Sequence, residues 1–122
     1  MISLDLRGSK PIYEQIVEQM KRNISKGYLK PGDAIPSVRR MALELTITPG
    51  TVAKAYQELE RQKLIETIRG KGTFVASQKQ KMDDDRVEQI RRQLASEVLE
   101  LKLMGIKREE IAELFNEIYD EL

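Results

Sequence analysis

Three observations predict a mainly α-helical chain: a winged helix-turn-helix domain of three helices plus a β-hairpin wing, followed by a two-helix C-terminal region. Apolar residues recur at steps of three and four through five separate stretches. The second and third stretches are short and joined by a tight turn. Directly after the third come two β-prone runs that meet at Arg69-Gly70-Lys71-Gly72.

Pro11 is expected to begin the first helix, where a missing N–H is harmless. Ile12, Ile16, Met20 and Ile24 then recur every four residues, flanked by Tyr13 and Val17. Gly27 ends this helix, and residues 29–33 form a turn around Pro31-Gly32. Ile35-Pro36-Ser37 is expected to open the second helix, with Ser37 as its N-cap. Val38, Met41, Ala42 and Leu45 mark its apolar face. Thr46-Ile47-Thr48 is the turn, with Ile47 inward. Thr48 caps the third helix and Pro49 lies in its first turn. Val52, Ala55, Tyr56 and Leu59 repeat the apolar spacing of the second helix, and small alanines where the helices cross complete a helix-turn-helix. Residues 64–68 and 73–75 read as the strands of the wing. Tyr13, Tyr56 and Phe74 are expected to pack in the core, and Tyr28 under the turn that follows the first helix.

Residues 77–82 are polar and lack periodicity, which suggests a hinge between a domain over 1–76 and a helical region over 83–122. In that region Val87, Ile90, Leu94, Val98 and Leu101 are spaced by three and four, and Asp83, Asp84 and Asp85 suit the positive end of a helix dipole. Gly105 ends this helix. A last helix covers residues 108–119, with Ile111, Phe115 and Ile118 on one face. About 40 residues cannot easily bury a core alone, so these faces need a partner. A second copy is one such partner, giving a homodimer; the rival is an intramolecular cap on the first domain.

The composition narrows the chemistry. With neither Cys nor His, the chain lacks thiolates and the commonest general base and metal ligand, so neither an enzyme nor a metal or cofactor site is expected. No apolar run is long enough for a transmembrane helix and no signal-peptide pattern opens the chain, so a cytoplasmic location without membrane contact is expected. The net charge of +1 conceals an asymmetry. Residues 1–76 hold 13 Lys/Arg against 8 Asp/Glu, and residues 77–122 hold 8 against 12. A basic half joined to an acidic half points to a polyanionic partner for the first.

The third helix supplies the reason to think of double-stranded DNA. At about 100° per residue, Gly50, Lys54, Gln57 and Arg61 lie opposite its apolar face, without a carboxylate. Its first-turn amides, near Thr48 to Thr51, are free to meet a phosphate, while Lys54 and Gln57 would reach base edges in the major groove. Ser37 could add a phosphate contact to its capping role. Arg40 has Glu44 at i+4 as an ion-pair partner. The wing tip Arg69, Gly70, Lys71 and Gly72 would lie in or beside the minor groove. The alternative is a winged-helix protein-interaction module without specific DNA binding, with these faces merely solvated.

Four blocks, in order, carry a family resemblance: Pro11-Ile12-Tyr13; Gly27-Tyr28-Leu29-Lys30-Pro31-Gly32-Asp33-Ala34-Ile35-Pro36-Ser37-Val38-Arg39; Thr51-Val52-Ala53-Lys54-Ala55-Tyr56-Gln57-Glu58-Leu59; and Gly70-Lys71-Gly72-Thr73-Phe74-Val75. Together they resemble the GntR family of bacterial transcription regulators, and the short helical tail is similar to its YtrA subfamily. The resemblance implies a winged-helix dimer that binds a palindromic operator, usually as a repressor. It also implies that Arg39 contacts DNA and that Thr48 and Thr51 stand at contact positions. Two positions depart from the family. A small residue with positive φ is common where Thr46 stands, which implies a strained or reshaped turn. Asn is common where Gly50 stands, so a polar side chain is missing there, or the backbone comes closer to a phosphate.

Operator symmetry favours the second copy as partner for the tail, since two recognition helices must meet half-sites about one DNA turn apart. Val87, Ile90, Leu94, Val98, Leu101, Ile111, Phe115 and Ile118 are the expected dimer interface. A repressor needs a release signal, and the apolar faces of the tail would suit a small apolar effector.

Overall fold

The helices of the first domain form where their apolar stripes can meet. α1 (Ile12–Ser25) buries Ile16 and Met20 of its four-step pattern and Val17 beside them. α2 (Val38–Leu45) buries Met41 and Ala42, and α3 (Pro49–Arg61) buries Val52, Ala55, Tyr56 and Leu59. α3 lies at the centre and packs against both of the others. Each large apolar side chain removed from water here stabilises the fold by roughly 1.5–3 kcal/mol. The structure is a computed structural model that describes residues 2–77 and 83–122. The expected hinge over 77–82 therefore lies, from residue 78 onward, outside the described residues.

The wing is larger than the hairpin expected. β2 (Ile65–Ile68) pairs antiparallel with β3 (Gly72–Val75), in the register Ile65 opposite Val75 through Ile68 opposite Gly72. A further strand, β1 (Ala34–Ile35), pairs with the other edge of β3, so the sheet order is β1-β3-β2. Ile35 was expected to open the second helix. Instead it sits opposite Thr73 in the sheet and is buried. Pro36 explains the limit of that strand, since it has no N–H to continue a ladder. Leu64 lies just outside β2, and Pro11 takes the N-cap of α1 instead of its first helical position.

Helix ends follow one pattern. After α1, Gly27 takes a positive φ while Gly27 N–H donates to Ile24 O and Tyr28 N–H to Asn23 O. This paired closure satisfies carbonyls that the helix leaves open. After α2 and α3 the same closure is made without glycine, by Thr46 (φ 56°) and Lys63 (φ 60°). Tyr28, expected under the turn, is 71% exposed; the closure turns its side chain outward, and the neighbouring Leu29 is buried in its place.

Ahead of α1, residues 2–10 are strapped to it. The Gln19 carboxamide accepts from Ser3 N–H and donates to Ser3 O, and Gln15 makes the same pair of bonds with Asp5. Gln15 also donates to Lys10 O, which satisfies a polar side chain that is otherwise buried. Ile2 and Leu4, the alternate residues, pack on the core.

The chain divides into two compact units, Met1–Gln80 and Lys81–Leu122. The second holds α4 (Asp84–Leu103) and α5 (Arg108–Glu121). Asp83 caps α4, its carboxylate accepting from Asp85 and Arg86 N–H, and Asp84 and Asp85 follow in the first turn as the dipole favours. Gly105 closes α4 with the same paired bonds, Gly105 N–H to Lys102 O and Ile106 N–H to Leu101 O. Neither helix buries a residue, and the two scarcely touch.

Candidate nucleic-acid interface

The candidate surface is assembled from α2, the α2–α3 turn, α3 and the wing. Ser37 caps α2 as expected, its hydroxyl accepting from Arg40 N–H at 3.2 Å. Arg40 is held by Glu44, Nε to Oε1 3.0 Å. Its neighbour Arg39 is exposed and has no ion pair among the described residues. The two arginines thus divide, one neutralised along the helix and one left to solvent.

Thr48 occupies the N-cap of α3, with Pro49 in the first turn, but its side chain caps no backbone N–H. The Thr48 and Thr51 hydroxyls lie 2.9 Å apart and bond to each other. Two hydroxyls and the Gly50 N–H therefore share one helix end, where Pro49 has no N–H and Thr51 N–H donates to Thr48 O. That end carries partial positive charge and suits an anion. Gly50 sits in this turn with open space around the position of a Cβ, so nothing within the chain requires glycine there.

Further along α3 the outward face is less free than the sequence suggests. Lys54 is exposed, yet its Nζ lies 4.0 Å over the centre of the Tyr13 ring on α1. Arg61 donates from Nε (2.9 Å) and Nη2 (2.6 Å) to the two carboxylate oxygens of Glu58. That pairing, reinforced by Gln62, pulls the Glu58 carboxyl down to about 2. The face expected to lack carboxylates is thus neutralised at its C-terminal end. Gln57 is exposed and makes no side-chain hydrogen bond among the described residues.

The wing tip keeps all its charge outward. Arg69, Gly70, Lys71 and Gly72 are exposed, and Lys71 N–H donates to Ile68 O to close the turn. Gly70 stands at φ 78°, where a side chain would be strained. Two struts that the sequence did not disclose hold these parts together. Tyr56 donates its hydroxyl to Pro36 O at 2.7 Å, joining α3 to the segment before α2. Burial pushes that phenol up to about 12. Thr67 on β2 donates to the Glu60 carboxylate at 2.6 Å, tying the wing to α3. Beyond the shared core, β1 and these long-range bonds fix Arg39, the α3 end and the wing relative to one another, and no local periodicity encodes them.

On α4 and α5, Val87, Ile90, Leu94, Val98, Phe115 and Ile118 are all exposed, Leu94 by 56% and Phe115 by 60%. Leu101 and Ile111 are half-buried. Phe115 and Tyr119 stack in a tilted pair with ring centres 6.0 Å apart. Among the described residues no helix is long and apolar enough to cross a membrane.

A family model described as bacterial regulatory proteins, gntR family, matches residues 12–75. The HTH-type transcriptional repressor YtrA of Bacillus subtilis (strain 168) is 43% identical over 119 residues, covering 97% of this chain and 92% of that protein. A crystal structure described as a transcriptional antiterminator from Listeria monocytogenes EGD-e matches with a TM-score of 0.83 and 41% identity, covering 98% of this chain and 90% of the other. The DNA-binding domain of AraR, solved in complex with operator ORR3, matches 62% of this chain and 95% of its own length, with a TM-score of 0.51 and 29% identity.

Proposed function

This chain belongs to the GntR family of bacterial regulatory proteins, and from that premise we propose that it acts as a two-fold dimeric repressor on a palindromic operator. It is a DNA-binding transcription regulator and not an enzyme. The observation that carries the docking proposal is the N-terminus of α3, which no side chain caps and where the Thr48 and Thr51 hydroxyls bond to each other. There a phosphate would accept hydrogen bonds from the Gly50 N–H and from the two hydroxyls. Ser37 and Arg39 would grip the backbone from α2. Gly50 would let the backbone come close, Gln57 would read a base edge, and Arg69, Gly70, Lys71 and Gly72 would lie along the minor groove.

The tail supports the dimer. Two amphipathic helices with no fully buried residue, and with few contacts between them, leave their apolar faces in need of cover. A second copy covers both and supplies the two-fold axis that a palindrome requires.

The test is a binding isotherm in a salt series, using an operator selected by the protein from a random DNA pool. Log K should fall linearly with log salt, by about 0.9 per phosphate neutralised. Arg39→Ala should weaken binding and shallow that slope while leaving the domain folded. No selectable sequence, or binding indifferent to salt, would end the reading.

A further inference from the structure

The helix that the family relation makes the reading helix carries two basic side chains on its outward face, Lys54 and Arg61. Both are occupied within the protein. Arg61 is bidentate to Glu58. Lys54 reaches back into the groove between α1 and α3, which is lined by Tyr13, Val17, Gln57 and Glu58 among others. Its ammonium sits 4.0 Å from the Tyr13 ring centre, well inside the range of about 6 Å over which a ring face attracts a cation. Tyr13 lies in the first turn of α1, whereas Lys54 lies midway along α3. The contact therefore joins two elements that are otherwise held by apolar burial, which selects the buried face but leaves the rotation loose by about 15–20°.

We infer that Lys54 is a positioning residue: through Tyr13 it fixes the rotation of α3 on α1, and it does not itself contact bases or phosphates. This rests on the DNA-docking reading above and revises the expectation that Lys54 reaches a base edge. Three consequences follow from the chemistry. Removing the cation should not change how many phosphates are neutralised. The loss should fall on the specific site, where rotation of α3 matters, and not on random DNA, where the backbone alone is gripped. Tyr13 and Lys54 should act as one unit.

The experiment measures binding of Lys54→Met, Tyr13→Leu and the double variant to the selected operator and to random-sequence duplex. It is run in a salt series at a temperature where melting curves show every protein folded. Lys54→Met and Tyr13→Leu should each weaken operator binding by about 2- to 5-fold, the range of an exposed cation–ring contact. The double variant should be no weaker than either single one. Random-duplex affinity and the salt slope should stay at wild-type values. Lys54→Arg and Tyr13→Phe, which keep a cation and a ring face, should restore operator binding. A salt slope reduced by about 0.9 in Lys54→Met would place the ammonium on a phosphate and overturn the inference. Additive losses, or a folded Lys54→Met with wild-type operator binding, would overturn it too. If wild-type protein selects no DNA, the docking reading fails first and this inference falls with it.

Discussion

Thr46 holds a left-handed conformation, φ 56° and ψ 48°, that a β-branched side chain tolerates poorly. The turn keeps it because the shape is needed: Thr46 N–H donates to Leu43 O and Ile47 N–H to Ala42 O, and the second bond turns Ile47 back toward the core. The side chain is exposed, so no contact offsets the strain, which is of the order of 1–2 kcal/mol. Thr46→Gly should therefore stabilise the first domain by about 1 kcal/mol, once the extra freedom of an unfolded glycine is subtracted. In a domain of this size that raises the melting temperature by roughly 4–8 °C, with a smaller gain for Thr46→Asn. An unchanged or lower melting temperature for Thr46→Gly would show the turn to be unstrained. Thr46 was legible in the sequence as a departure from the family; Lys63, in the same conformation, was not. Its helix runs straight into a strand with no punctuating glycine or proline to mark the turn.

At the level of elements, what could be read in advance was what is periodic. All five helices announce themselves by apolar spacing, and the hairpin by its glycines. β1 could not be read this way, because two residues are too few for alternation and their partner on β3 is about forty residues away. The same holds for the C-terminal turn of α3, where Glu58 was counted on neither face yet neutralises Arg61 on the outward one. Its carboxyl is held at about 2, first by the hydrogen bond from Arg61 and then by Gln62, against about 4.3 in an unfolded chain. A depressed carboxyl contributes stability that is present above the unfolded value and is lost as pH falls through the folded one. Wild-type protein should thus exceed Glu58→Gln in stability by a constant margin above about pH 5. That margin should shrink steadily toward pH 2 and be smaller throughout at high salt, because the pair is exposed. Denaturant titrations of both proteins across that range test it, and a margin that does not vary with pH would show that the carboxyl is not held below its unfolded value.

For the molecule as a whole, the separation of charge fits the proposed division of tasks, DNA binding in the basic unit and dimerisation in the acidic one. The residues of the core cluster and those packed against it all fall within 2–75, in the basic unit. One copy of it would grip a half-site only weakly, through a few phosphate contacts. Joining two copies makes the second engagement intramolecular, and linkage of this kind strengthens binding by about 10²- to 10⁴-fold without a new contact. The amphipathic faces were plain in the sequence, but a single chain holds no record of what covers them, which is why the dimer has to be tested on the full chain. Leu94→Asp and Phe115→Asp each place a charge in the middle of one exposed apolar face. Like charges would then meet across a two-fold seam. Both variants should sediment as monomers at micromolar concentration, and the melting of the first domain should be unchanged. Affinity for the full palindrome should drop by about 10²- to 10⁴-fold, while affinity for an isolated half-site stays the same. If the variants still sediment as dimers, the seam lies elsewhere. If they are monomers that bind the palindrome as tightly as before, two-fold linkage is not the source of operator affinity.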